Sequence, residues 1–263
     1  MSAPPPAKRP APDAGLADAP PPPRPPRPPP RPPLLDDPRF VYPPPSTDYA
    51  DLPAMLGHPD RGPLVLGWLG DDTRAASALR GTCAAARDAV SSHPWADLGT
   101  RIAWPGRWRR AFPRAVAACV RSNRRLVDAD FVHPRGLRSL DMSWCSQASI
   151  SDRAFAHLAG IHALDMSHCH QATITDGAFA HLAGIHTLDM SGCWLAGITD
   201  GAFAHLAGIH TLKMSGCWLA GITDGAFAHL AGIHTLDMSH CYQATITDGA
   251  FAHLTGIHTL KMS

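Results

Sequence analysis

His168-Cys169-His170 sets three metal-capable side chains next to one another, and Cys and His return along the chain at one fixed interval. Zinc requires about four ligands converging on a tetrahedron. In an extended segment neighbouring side chains point to opposite faces, so an inward Cys169 turns both imidazoles away from its thiol. The spacing predicts no metal site. Seven cysteines are present, and Cys145, Cys169, Cys193, Cys217 and Cys241 lie 24 residues apart. An odd number at a regular step reads as reduced thiols, which predicts an intracellular protein, cytoplasmic or nuclear. Ser and His recur by copying, with no unique nucleophile, no Gly-rich phosphate loop and no paired carboxylates. Neither catalysis nor a cofactor is expected.

Thirteen histidines fall in the repeated part, among them the columns His162, His186, His210, His234, His258 and His157, His181, His205, His229, His253. Protonation near the ordinary value of about 6.5 would place like charges in rows and loosen the structure in mild acid. The alternative is that both columns are solvated copies of one surface residue.

The same 24-residue step holds for Leu140, Leu164, Leu188, Leu212, Leu236 and Leu260, and for the rows beginning at Ile150 and Phe155. One unit runs Ile185-His186-Thr187-Leu188-Asp189-Met190-Ser191-Gly192-Cys193. The period-two rule of a strand points Leu188 and Met190 inward and Thr187, Asp189 and Ser191 outward. Ile198 through Leu206 then turns into a short convex helix, capped by Thr199 or Asp200, with Phe203 and Leu206 entering the core. One unit cannot bury this apolar face alone, whereas stacked units can. A period of 20–29 residues with this pattern marks a leucine-rich repeat. Cys at 193 with Ile198-Thr199-Asp200, and again Cys217 with Ile222-Thr223-Asp224, resembles the cysteine-containing subclass of that family over about residues 137–263.

The expected binding surface is the concave strand face, lined by Asp141, Asp165, Asp189, Lys213, Asp237 and Lys261 between columns of Thr and Ser. Trp144, Trp194, Trp218 and Tyr242 form an uneven aromatic edge just after the strands, together with His170. Copy-to-copy variation concentrates at the Asp/Lys row and beside the Cys, which marks these positions for partner contact. Near-identity of the units also fits recent duplication with little selected specificity. Leu254, Ile257, Leu260 and Met262 fall near the last strand, where an uncovered end predicts self-association or a truncated product.

Lys plus Arg number 23 and Asp plus Glu 22, a balance that predicts no general affinity for nucleic acid or anionic membrane. No apolar run is long enough to span a bilayer, and the N-terminus lacks the apolar core of a signal peptide. Twenty of the 27 prolines fall between Pro4 and Pro45, so residues 1–47 read as a disordered, polyproline II-like tail. Within it Arg27-Pro28-Pro29-Pro30-Arg31-Pro32-Pro33 fits the pattern that a Src-homology-3 domain accepts, against the alternative of a solvated spacer.

Helical periodicity begins near Asp48. Leu64-Val65-Leu66 and Trp68-Leu69 form an apolar cluster. A second helix, capped at Asp71, Asp72 or Thr73, runs through Ala76, Leu79 and Cys83, and a third covers Ala84 to Val90. Trp95 and Leu98 read as anchors returning to the core. Leu52-Pro53, Val65-Leu66-Gly67-Trp68-Leu69, Cys83 and Trp95 resemble an F-box, with Ala86 at the place of its middle Trp and about five extra residues before the first helix. That resemblance implies a Skp-type adaptor bound through Leu52, Pro53, Leu66, Leu69, Leu79 and Cys83, and a role as substrate-recognition subunit of a cullin–RING ubiquitin ligase. Alternatively these residues are the core of a helical cap on the repeats, in a plain repeat scaffold with no ubiquitin role. Residues 101–125 are rich in Arg, with Trp104, Trp108 and Phe112 interleaved; they read as a linker helix with its apolar stripe packed and its arginines solvated.

The expected molecule is therefore an α/β solenoid, a leucine-rich-repeat horseshoe segment over 137–263. It is preceded by a basic linker over 99–136, a small helical F-box-like domain over 48–98 and the Pro-rich tail.

Overall fold

The computed structural model describes residues 52–58, 62–67, 69–241 and 243–263. The Pro-rich tail with its Src-homology-3 motif, Trp68 and Tyr242 lie outside the described residues, as do the side chains of Leu52, Pro53 and Leu64.

Four helices open the described chain: α1 (Leu52–Gly57), α2 (Gly62–Gly67), α3 (Thr73–Arg80) and α4 (Ala84–Ser92). Asp72 caps α3, its carboxylate accepting from the amides of Arg74 and Ala75 at 2.8 and 3.1 Å. The Cys83 sulfur caps α4 by accepting from Ala86 N–H at 3.4 Å. Leu56, Leu66, Ala76, Ala86, Val90, Trp95 and Phe112 bury against one another as the core of this unit. Trp95 anchors as its sequence position suggests, with its indole N–H donated to the Val90 carbonyl at 2.8 Å. Leu98 does not: it is 42% exposed and turns toward the strand face.

The stretch read as a basic linker is more structured than its composition suggests. It holds α5 (Pro105–Ala111), and then the first rung of the sheet, β1 (Ala117–Cys119), followed by a 3-10 turn at Asp128–Val132. The leucine signal is hidden because Ala118 and Val120 fill the inward places that Leu and Met fill later. Ala118 pairs with Leu140 across a shortened step, while Phe131 and Leu137 keep the 24-residue interval to Phe155 and Ile161. The arginines of this stretch are not all solvated. Arg109 donates to the carbonyls of Ala115 and Arg135 at 2.9 and 2.7 Å, and Trp104 lies outside the packed stripe at 54% exposure.

From β1 the chain climbs one rung per repeat through β2 (Ser139–Asp141), β3 (Ala163–Asp165), β4 (Thr187–Asp189), β5 (Thr211–Lys213), β6 (Thr235–Asp237) and β7 (Thr259–Lys261). The strands form one parallel sheet in sequence order, with Leu140, Leu164, Leu188, Leu212, Leu236 and Leu260 as successive register partners. The convex side carries α6 (Asp152–Phe155), α7 (Asp176–Ala180), α8 (Asp200–Ala204) and α9 (Asp224–Ala228), then a 3-10 segment at Asp248–His253. Leu188, Met190, Ile198, Phe203 and Leu206 of one rung are buried, and the same places in neighbouring rungs continue a single dry interior.

Two ladders of polar bonds fix the stacking. On the inner side each Cys thiol donates to a strand-end carbonyl one rung back: Cys193 to Met166 at 3.1 Å, Cys217 to Met190 at 2.8 Å, Cys241 to Met214 at 2.9 Å. On the convex side Thr199 caps α8, while the Asp at the next position serves the following rung. Asp152 accepts from the Thr175 amide and hydroxyl at 2.7 and 2.6 Å, and Asp200 does the same for Thr223. Glycine follows the Asp in the four rungs from Asp176 on, whereas Arg153 follows Asp152. A Cβ at Gly201 would sit 2.9 Å from the Asp176 carboxylate, so a larger residue there requires that carboxylate to shift; the Arg153 rung keeps the Asp128–Ser151 bonds without the glycine.

Candidate partner-binding faces

Outward side chains of β2 through β5 and the exposed Leu98 line a shallow depression of about 200 Å³ that contains Asp141, Asp165, Asp189, Thr187 and Lys213. Four of the five aspartates and lysines expected at the concave face from β2 to β6 are thus brought together, and Asp237 continues the row at β6. Their electrostatics are uneven. Asp141, Asp165 and Asp189 follow one another on β2, β3 and β4, three carboxylates in successive rungs. Burial pushes the Asp165 carboxyl above the ordinary carboxylate value; its Ser167 bonds pull the other way, and the flanking Asp189 and Asp141 add to the rise. Lys213 closes the acidic run with an ion pair to Asp189 at 3.3 Å, and Lys261 reaches Asp237 at 3.9 Å.

Each carboxylate also folds onto its own strand end. Asp141 accepts from the Ser143 amide and hydroxyl at 2.9 and 2.6 Å, and Asp165 and Asp189 accept from the amides of Ser167 and Ser191. The Ser column expected as a flank of the site is therefore a positioning element, holding the carboxylates in one orientation.

The aromatic edge divides into two pairs. Trp144 stacks on His168 with ring centroids 4.0 Å apart, and Trp194 stacks on Trp218 at 5.4 Å. Trp194 and Trp218 are 59% and 62% exposed, with their backbones bridged in parallel register. Trp144 and His168 occupy a left-handed backbone position, φ 61° and 56°, where the next two rungs carry Gly192 and Gly216. Bulky residues at positive φ are strained, and sequence periodicity alone gives no sign of this.

The remaining candidates separate by position. Leu66 is buried, and Leu69, Leu79 and Cys83 are half-buried against the helical core, so these four first serve the unit's own packing. His168-Cys169-His170 does not converge: the Cys169 thiol faces the Met142 carbonyl while the His168 ring lies on Trp144. Among the described residues no group of three or more His, Cys, Asp or Glu is arranged to hold a metal ion. The cysteines are free, and burial pushes the Cys145 thiol up to about 11 and the Cys169 and Cys217 thiols up to about 12.

No protein-family model and no curated protein matches the chain. Among solved structures it is similar to the TLR13–ssRNA13 complex, at 21% identity and TM-score 0.46, over 60% of this chain and 26% of that one. It is similar to the Toll–Spatzle complex of Drosophila, at 16% identity and TM-score 0.38, over 59% and 27%. It is also similar to human 5T4, at 17% identity and TM-score 0.41, over 57% and 68%. The chain spans about a quarter of the length of the first two. The chain's own geometry settles the architecture: one short parallel strand, one carbonyl-seeking Cys and one Thr-capped convex turn in every 24 residues. The fold is a leucine-rich-repeat solenoid.

Proposed function

We propose that the chain is a non-catalytic protein-binding module whose concave face takes a basic segment of a partner. The observation that carries this reading is the uninterrupted carboxylate row Asp141–Asp165–Asp189, oriented by the serines behind it and set in one depression beneath Leu98. A row of like charges on rigid strands is complementary to Lys or Arg side chains at alternate positions of an extended peptide. The exposed Trp194–Trp218 pair lies just beyond the strands and supplies apolar anchorage of the type that dominates protein interfaces. Seven free thiols fit a reducing compartment inside the cell.

The test is fluorescence anisotropy of a labelled ten-residue peptide alternating Lys and Ala, titrated with the full chain. Binding should weaken at least tenfold in Asp165→Lys/Asp189→Lys and recover little at low salt. Equal affinity of that variant and the parent would remove the concave face as the site.

A finer reading makes the helical unit an F-box-type docking element for a Skp-type adaptor in a cullin–RING ligase. What supports it is order along the chain and the apolar groups left at the helical surface, Met55 at 39% exposure and Leu69 and Leu79 half-exposed. Because Leu66 is core, its substitution would unfold the unit and test nothing. Met55→Glu is the informative variant: capture of a Skp adaptor by the full chain should be lost while the helical content stays. The same format with an isolated Src-homology-3 domain tests the tail motif at Arg27 to Pro33.

A further inference from the structure

At the N-terminal edge of the sheet, Arg101 bridges to Cys119, and the Ile102 amide donates to the Cys119 carbonyl at 2.8 Å. The Asn123 side-chain amide clamps this strip from the other direction, donating to the carbonyls of Ile102 and Ala103 at 3.1 Å each. Between the strip and the loop at 121–125 lies a cleft of about 440 Å³ lined by Arg101, Arg121, Arg124 and Arg125. A second concavity of about 350 Å³ shares Arg101, Ile102 and Ala103 with it and adds Arg74, Arg107 and Trp104.

Charge here is one-sided. Residues 99–136 contain nine Arg, no Lys and only two acidic residues, Asp128 and Asp130. Both carboxylates are already engaged, Asp128 by the Ser151 amide and hydroxyl and Asp130 by the Val127 amide. The four arginines of the cleft are exposed, and among the described residues none of their guanidiniums has an ion pair. The exposed Trp104 ring carries the guanidiniums of Arg125 and Arg107 at 5.1 and 5.9 Å from its centroid. Cation–π contact holds these two side chains over the ring, so less side-chain freedom is lost when they bind.

We propose that this arginine cleft binds a phosphorylated, acidic peptide segment of a partner, separately from the concave face. Guanidinium groups present paired donors that match phosphate and carboxylate oxygens bidentately, which ammonium groups do not. Clusters of arginine are the recurrent receptor for phosphorylated segments. Two adjoining concavities exceed what a lone phosphate ion fills and suit an extended chain with several anionic groups. Single-stranded nucleic acid fits less well, because base stacking requires an open aromatic face and Trp104 is occupied by its own arginines.

The test titrates the full chain into a labelled ten-residue peptide alternating phosphoserine and Asp, its neutral Ser/Asn counterpart, and a ten-nucleotide uridine strand. The phosphopeptide should bind at least tenfold more tightly than either control, and 0.5 M salt should abolish the difference (roughly a 4 Å screening length). Arg121→Glu/Arg124→Glu should weaken it at least tenfold. Arg153→Glu, an equal change of charge per site on the convex side, and Asp165→Lys/Asp189→Lys on the concave face should not weaken it. Trp104→Ala, which frees Arg107 and Arg125 without opening the core, should weaken it several-fold and carries the test should the double variant unfold. Equal binding of the phosphopeptide and its neutral counterpart, equal loss in Arg153→Glu, or tighter binding of the uridine strand would each overturn the proposal.

Discussion

Cys193 is fully surrounded by protein, its sulfur hydrogen directed at the Met166 carbonyl, and burial pushes its pKa far above that of a free thiol. The same cause raises Cys119, Cys145, Cys169 and Cys217, while Cys83 and Cys241 are only half-buried. The thiolate is the reactive form, so the five buried thiols are inert in the folded chain. An aromatic disulfide reagent at pH 8 should label Cys83 first and Cys241 next, with the other five released together only on unfolding. Rapid labelling of more than two thiols in the native protein would contradict the inward file of cysteines. The inward thiols, the inward Leu188 and Met190 and the outward Asp189 were all legible from alternation and period. The carbonyl that the thiols from Cys169 to Cys241 seek was not, because it belongs to the preceding rung and lies 27 residues away in the chain.

At the scale of the element, the convex turns are short, and most of their definition comes from the cap. Thr199 bonds the Gly201 amide and is itself held through its amide and hydroxyl by Asp176 of the rung before. Thr199→Ala should cost about 1–2 kcal/mol, the sum of a lost N-cap and a lost partner for a carboxylate, read as a lowered urea midpoint with an unchanged slope. The Thr-Asp-Gly sequence announces a helix start, but the rung-to-rung role of the Asp emerges only in the stacked form.

The histidine columns diverge in the same way. His162, His186, His210, His234 and His258 stack as a file of imidazoles 4.4–4.5 Å apart, with Nδ1 of the middle three 3.2 Å from the following Thr hydroxyl. His234 is held below the ordinary histidine value, first by lost hydration in the stack and then by the neighbouring His210 and His258. A depressed value means that this imidazole takes up its proton at a higher pH in the unfolded chain than in the folded one. Stability linked to His234 is therefore complete above about pH 6.5 and declines as pH falls below it. The thermal midpoint should drop between pH 7.5 and 5.5, and His210→Gln/His258→Gln should flatten that slope. A midpoint independent of pH across this range would show the file to be electrostatically idle.

Across the whole molecule, the helical unit and the solenoid meet at Trp95 and Trp108. The Trp95 carbonyl accepts from the amides of Val116 and Ala117 at the start of β1, and Trp108 packs on both apolar cores. Trp95→Ala should lower stability by about 3–5 kcal/mol, the range for removing a large aromatic group from a core. Calorimetry should show a loss that reaches the solenoid, and a change confined to a separate early transition would mean that the two parts unfold independently. This junction was the least legible feature in the sequence. Its first rung uses Ala118 and Val120 where the copies use Leu and Met, and its arginines suggest a surface linker until the sheet register is seen. Charge is also segregated at this scale: nine arginines against two aspartates over 99–136, then four basic residues against nine aspartates over 137–263. Whole-chain balance conceals two surfaces of opposite sign.

Rungs of near-identical sequence would offer a ligand the same seat over and over, one step apart, with nothing to choose between them. The ring-bearing position breaks that degeneracy. Trp144 and His168 hold it in the lower rungs, then glycine takes over at 192 and 216 and the rings move two residues on, to Trp194 and Trp218. A Cβ at Gly192 would meet the His168 ring at 2.5 Å, so a larger residue there would displace the imidazole from its place on Trp144. A partner spanning the step from His168 to Trp194 would lose its match on sliding by one rung, because the ring position changes there and changes back at His240.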